Sequence, residues 1–152
     1  MKKENTKICF VSSSGGHYLQ LQRLSPLLQK YDGFFVSEKT KFDDSAKYVM
    51  IQTDVKDPLM AFKMLINSIR SLKVWIKEKP DVVVTTGTLV ALPFAILSKV
   101  FNKKFIYIES YSRVYNGTKA GRFLYRLADL FIVQWKPLLE IYPKAKLGRK
   151  LL

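Results

Sequence analysis

The stretch Ile8-Cys9-Phe10-Val11-Ser12-Ser13-Ser14-Gly15-Gly16-His17 decides how the chain is read. Its run of apolar and small residues suits a strand buried on both faces, and the serines and glycines that follow cannot continue it. Beyond the turn, Tyr18, Leu19, Leu21, Leu24, Leu27 and Leu28 recur at helical spacing, which predicts a helix running to about Lys30. Glycines between a buried strand and a helix start outline an anion site. Gly15 and Gly16 let the backbone turn tightly and approach a ligand, and unpaired amides favour a phosphate or diphosphate. The stretch contains neither G-x-G-x-x-G nor G-K-[ST], so no dinucleotide or P-loop motif is present. An ordinary strand-to-helix turn is the plain alternative.

Working outward, Gly33 to Ser37 reads as a second strand and Tyr48 to Gln52 as a third, with a charged connector from Glu38 to Lys47. Asp57-Pro58 starts a long second helix that ends at Lys79-Pro80. Leu59, Phe62, Leu65, Ile66, Ile69, Leu72 and Ile76 share one face of it, with Lys63, Arg70, Lys73 and Lys77 to the side. Such a helix fits either a buried core with snorkelling lysines or a contact with both a core and a membrane surface. Asp81 to Thr86 is the clearest strand, and it stops at the small-residue turn Thr86-Gly87-Thr88. A helix from Leu89 to Phe101, a strand from Phe105 to Ile108, a short helix through Phe123 to Leu127 and a sixth strand from Leu130 to Gln134 lead to a basic tail.

Strands alternating with helices require a parallel sheet with helices on both faces, and right-handed crossovers leave few topologies. The expectation is one α/β, Rossmann-like domain over residues 1–152 with strand order 3-2-1-4-5-6. In that order the first and fourth strands are neighbours whose following helices lie on opposite faces, so a crevice opens at their carboxyl ends. Ser12 to His17, Thr86 to Thr88 and Glu109 to Arg113 converge there. The edge thus collects two glycines, the only histidine, a carboxylate and an arginine.

Composition narrows the partners. The chain has 152 residues, 48% of them hydrophobic, which argues against disorder, and 26 Lys+Arg against 12 Asp+Glu, net +14, call for an anionic counterpart. A nucleic acid, an anionic membrane or a phosphorylated substrate would serve. No recognised nucleic-acid-binding motif appears, and many aromatics fall where cores need them. Nucleic-acid or polyanion binding therefore stands as the alternative function. The lone cysteine, Cys9, lies in the first strand and is expected to be buried and inert. No apolar run reaches the roughly 18 residues of a spanning helix, and the start leads into a strand, so neither export nor a membrane span is expected. One histidine and one cysteine are too few for the usual N/S ligand sets, so no metal or other cofactor is expected.

Ser13-Ser14-Gly15-Gly16-His17, Thr86-Gly87, Ile108-Glu109-Ser110 and the run Ala128 to Trp135 together resemble the small-subunit family of split glycosyltransferases. These are the ALG-fourteen subunits of dolichol-linked oligosaccharide synthesis and the PssD and CpsF proteins of capsule and exopolysaccharide clusters. The layout is similar to the N-terminal half of MurG-type GT-B enzymes. The resemblance implies a division of labour. This chain would supply the acceptor and membrane side as a GT-B half inactive on its own, and an ALG-thirteen/PssE/CpsG-like chain would bind the sugar donor. It implies a lipid-diphosphate acceptor bound by Ser13, Ser14, Gly15, Gly16, Thr86, Gly87 and Arg113. His17 would either orient the diphosphate or act as base on the acceptor hydroxyl, and Glu109 is the rival base or a structural ion-pair partner of Arg113. Eukaryotic members carry an N-terminal anchor that this sequence lacks, so peripheral attachment to the cytoplasmic face of an anionic membrane is expected. Trp135 to Leu152 would meet the partner subunit or fray.

Overall fold

A computed structural model describes residues 4–40 and 45–151 of the chain; part of the Glu38–Lys47 connector and the end of the tail lie outside the described residues. The strand-forming stretches become β1 (Glu4–Ser12), β2 (Tyr31–Glu38), β3 (Tyr48–Met50), β4 (Val82–Gly87), β5 (Lys104–Ile108), β6 (Leu130–Val133) and β7 (Lys146–Leu147). Between them lie α1 (Gly16–Gln22), α2 (Met60–Glu78), α3 (Ala91–Val100), α4 (Lys119–Leu124) and α5 (Leu138–Ile141). All pairings are parallel and the order is β3-β2-β1-β4-β5-β6-β7. The expected 3-2-1-4-5-6 arrangement is present, with a seventh strand added from the tail.

The central strands are apolar on both faces because both faces are covered. In β1, Cys9 and Val11 join a cluster with Trp75, Phe94, Phe105, Tyr107 and Phe131 beneath α2 and α3. Ile8 and Phe10 alternate to the other face and pack with Tyr18 and Leu21 of α1. Full burial of such side chains contributes roughly 1.5–3 kcal/mol each. Cys9 is fully buried, and desolvation pushes its thiol well above the ordinary range, so it stays protonated.

One local expectation is corrected, and two elements gain detail. The first helix does not reach Lys30: it stops at Gln22 and a 3-10 turn follows at Ser25–Gln29. Pro26 has no N–H to give the carbonyl four residues back and disfavours helical backbone at Ser25, which accounts for the break. Within the tail, Leu138–Ile141 form α5, and Lys146 pairs with Ile132 at the sheet edge.

For α2, where the sequence fits either a core helix or one touching both a core and a membrane surface, the structure separates the faces. Its apolar stripe Phe62, Leu65, Ile69, Leu72 and Ile76 faces outward, while Asn67, Ser71, Val74, Trp75 and Glu78 are buried. The helix is seated by polar bonds. Asn67 accepts from the amide of Ile51 at 2.9 Å and donates to its carbonyl at 2.8 Å, fixing the rotation about the helix axis. At the other end Glu78, almost fully buried, is held by Lys7 at 2.6 Å and Lys47 at 2.7 Å and accepts from the Tyr48 hydroxyl at 2.5 Å. A left-handed Lys79 at φ 49° and Pro80 then end the helix.

Candidate functional site at the carboxyl edge of the sheet

The crevice expected between β1 and β4 is a cleft of about 620 Å³. Its walls come from four places in the chain: His17 at the start of α1, Gln52 to Val55 after β3, Thr88, Leu89 and Leu92 after β4, and Arg113 with the start of α4 after β5.

His17 is fixed by the end of β4. Its Nδ1 lies 2.7 Å from the carbonyl oxygen of Thr86, and since a carbonyl only accepts, Nδ1 carries the proton. In the neutral ring Nε2 is then the basic nitrogen. The Thr86 hydroxyl donates in return to the His17 carbonyl at 2.7 Å. Thr86 is fully buried, so it acts here as a positioning residue behind the histidine. Gly87, at φ 101°, makes room for this arrangement. A Cβ there would stand 3.1 Å from the Tyr107 hydroxyl and 3.6 Å from the imidazole. The room expected for a ligand at Gly87 is thus occupied by the histidine itself.

The glycine turn remains open. Gly15 has φ 76°, and a Cβ built on Gly15 or Gly16 would meet nothing within 4 Å. Ser13 donates its amide to the Gly87 carbonyl at 2.9 Å, tying the turn to β4, and the Ser14 backbone hydrogen-bonds the carboxylate of Glu38. The amides at the start of α1 have no partner within the helix.

Glu109 and Arg113 do not pair: among the described residues no ion pair joins them. Arg113 is exposed at the cleft, as is Lys119. Glu109 is fully buried behind the cleft wall and satisfied by neutral donors, the Tyr142 hydroxyl at 2.9 Å, the Ser110 amide at 3.0 Å and the Thr118 hydroxyl at 3.4 Å. Thr118 caps α4 by accepting from the Gly121 amide at 2.8 Å, so the carboxylate braces the helix that carries Lys119. Burial, together with the nearby Glu109 charge, pushes the Tyr142 hydroxyl up, keeping it a donor.

Two further polar devices escaped the sequence reading. Gln20 accepts from the Tyr111 amide at 2.9 Å and from Gln134 at 3.1 Å, while Gln134 donates to the Glu109 carbonyl at 2.9 Å and accepts from the Leu151 amide at 2.6 Å. This pair of buried amides holds α1, the Glu109–Arg113 loop and the tail together. A glutamine among the leucines of α1 was the only hint. Glu38, buried at the end of β2, accepts from the amide and hydroxyl of Thr53, at 3.0 Å and 2.5 Å, and so holds the Gln52–Val55 wall. Desolvation raises its carboxyl above the ordinary value.

Among the described residues no group of His, Cys, Asp and Glu side chains could hold a metal ion, and no helix is long and apolar enough to cross a membrane.

Comparison with known proteins adds to this geometry. Residues 28–149 match the family described as "Oligosaccharide biosynthesis protein Alg14 like". The UDP-N-acetylglucosamine transferase subunit ALG14 of Yarrowia lipolytica is 28% identical over 174 residues, covering 95% of this chain and 81% of the relative. The human subunit of the same name is 39% identical over 80 residues, 48% of this chain and 37% of the relative. Among solved structures, a UDP-N-acetylglucosamine 2-epimerase superposes with a TM-score of 0.73 at 13% identity, over 93% of this chain and 45% of that one. MurG of Acinetobacter baumannii superposes with a TM-score of 0.69 at 15% identity, over 87% of this chain and 42% of that one. The fold therefore corresponds to less than half of each of these two larger chains.

Proposed function

The chain belongs to the Alg14-like family of oligosaccharide biosynthesis proteins, and from that premise we propose that it is the acceptor-side subunit of a two-chain glycosyltransferase. In this reading a separate chain binds the sugar nucleotide, and the present one binds a lipid-diphosphate-linked acceptor and brings the partner to a membrane. The pathway would be capsular or exopolysaccharide synthesis, or lipid-linked oligosaccharide synthesis.

The observation that carries the reading is the placement of His17. Its imidazole is oriented from behind by Thr86 at a cleft that also presents Arg113 and Lys119, and the open glycine turn immediately precedes it in the chain. Two cations at the cleft suit a diphosphate. An imidazole nitrogen with its lone pair turned to the cleft suits removal of a proton from an acceptor hydroxyl as it attacks the sugar carbon. In that step the oxygen–carbon bond forms, the nucleoside diphosphate departs with the bonding pair, and the proton goes to Nε2. Glu109, walled off behind α4, serves in this scheme by bracing the wall. Thr86 and Gly87 serve by seating the histidine, and Ser13 and Ser14 by shaping the turn.

The alternative of a nucleic-acid surface gains little support from the structure, because Phe10, Phe94, Phe105 and Tyr107 are fully buried and cannot stack on bases.

Binding tests the proposal. The isolated chain should bind a short-chain, water-soluble prenyl-diphosphate monosaccharide, measured by calorimetry, and bind UDP-N-acetylglucosamine far more weakly. The reverse preference would place the donor site on this chain and overturn the reading.

A further inference from the structure

We propose that the outer faces of α2 and α3 are a docking surface for an anionic lipid bilayer, which deepens the reading above by naming the face turned to the membrane and rests on it for its purpose. Phe62, Leu65, Ile69, Leu72 and Ile76 follow one another at alternating spacings of three and four, so they lie in one narrow sector of α2. They are exposed, 61% for Phe62, 52% for Ile69 and 60% for Ile76. The Asn67 and Glu78 contacts fix the helix rotation that leaves this sector outside. Trp75 stacks on Phe101 at 5.7 Å and joins α2 to α3, whose Ile96 and Val100 are likewise exposed. Both helices thus carry exposed apolar side chains.

Charge identifies the occupant. Arg70, Lys73 and Lys77 form the sector of α2 adjoining the stripe, on the side of β3. The only acidic residue of α2, Glu78, is turned inward to Lys7 and Lys47. The outer surface of α2 therefore carries apolar and cationic side chains and no acidic one. A second copy of the chain would bring like charges together. A helical partner would be expected to meet a seam flanked by charges of both signs, whereas this stripe is bordered by cations with no acidic side chain beside them. Acyl chains beneath anionic headgroups match both features. The stripe also leads to the site. α2 follows β3, and the residue that caps its start, Leu59, lies close in sequence to Val55 of the cleft wall. Docking would bring the cleft mouth to the lipid surface, where the diphosphate of a lipid-linked acceptor lies.

The test uses the full chain and vesicles without acceptor, either phosphatidylglycerol with phosphatidylcholine or phosphatidylcholine alone, with binding read by flotation. The wild type should float with the anionic vesicles. The double variant Phe62→Glu/Ile69→Glu should lose binding at least about tenfold, at low and high salt alike. The variant Arg70→Glu/Lys73→Glu should lose the component that 1 M salt removes, where the Debye length is only about 3 Å. Lys146→Glu, on the far edge strand, should bind as wild type. All four positions in the two double variants are exposed, and circular dichroism confirms that each variant is folded. Unchanged flotation of both double variants overturns the proposal. So does a wild-type dimer that Phe62→Glu/Ile69→Glu turns to monomer without loss of vesicle binding, since the stripe is then a self-association surface. Calorimetry with the soluble acceptor analogue separates this result from the site reading. Lost flotation with retained analogue binding supports both, while normal flotation behaviour without analogue binding overturns the acceptor site alone.

Discussion

The Nδ1 of His17 donates to the carbonyl oxygen of Thr86 across 2.7 Å, joining the start of α1 to the end of β4 over 69 residues of chain. That single bond selects the tautomer and leaves Nε2 as the unprotonated ring nitrogen of the neutral imidazole. His17→Ala should fold as wild type, and the assisted transferase should lose about 10²–10⁴-fold in kcat with acceptor KM little changed. A rise in KM at unchanged kcat would instead assign His17 to holding the diphosphate.

Gly16 and Gly87 make opposite predictions. At Gly16 an added side chain enters open space, so Gly16→Val should keep its melting temperature while blocking approach to the turn amides and abolishing transfer. At Gly87, φ 101° and the Tyr107 hydroxyl 3.1 Å from a new Cβ predict strain, so Gly87→Ala should lose roughly 1–3 kcal/mol in urea unfolding. Equal stability of the two variants would contradict this assignment.

Stability should fall in acid through Glu78. Desolvation alone would raise its carboxyl, but hydrogen bonds from Lys47, Lys7 and Tyr48 outweigh it and hold the pKa at about 2. A depressed folded-state value stabilises above the unfolded pKa, here 4.5, and the contribution is lost as pH falls toward 2. The contribution at neutral pH is about 3 kcal/mol. Glu78→Gln should lose about that much at pH 7 and show a flatter decline between pH 5 and 2, where the wild type loses this stability, as measured by urea melts across pH.

The Glu109 pocket can be probed without touching the cleft. Tyr142→Phe removes the 2.9 Å bond to Glu109 and leaves a buried carboxylate short of a donor, at a cost of about 1–3 kcal/mol. If Glu109 only braces α4, Tyr142→Phe and Glu109→Gln should both raise acceptor KM more than they lower kcat. A fall in kcat by about 10²-fold or more for Glu109→Gln alone would restore it as a base.

Much of this architecture is legible in the chain itself. The strand-to-turn steps at Ser12–His17 and Thr86–Thr88 announce parallel strands and place the crevice, because a buried strand and a following glycine turn leave few alternatives. The orientation of α2 is not legible in the same way. Phe62, Leu65, Ile69, Leu72 and Ile76 repeat as a core-facing stripe does, and periodicity cannot say whether the surface they meet belongs to the same molecule. The helix was seated instead by Asn67 and Glu78, whose partners Ile51, Lys7 and Lys47 are distant in sequence. Glu109 is similar. Arg113, four residues on, is the obvious partner, yet the bond is made by Tyr142, 33 residues away, because the strand end points the carboxylate inward. The last strand, Lys146–Leu147, is two exposed residues long and carries no hydrophobic signal.

The central claim is that this chain is half of an enzyme. The most direct test is transfer of radiolabel from a UDP-sugar, UDP-N-acetylglucosamine first, to a lipid-diphosphate-linked acceptor. It is run with the purified chain, with a chain resembling the other GT-B half, and with the two combined. The account predicts no transfer by either chain alone and transfer by the mixture. Sustained turnover by the present chain alone would contradict it.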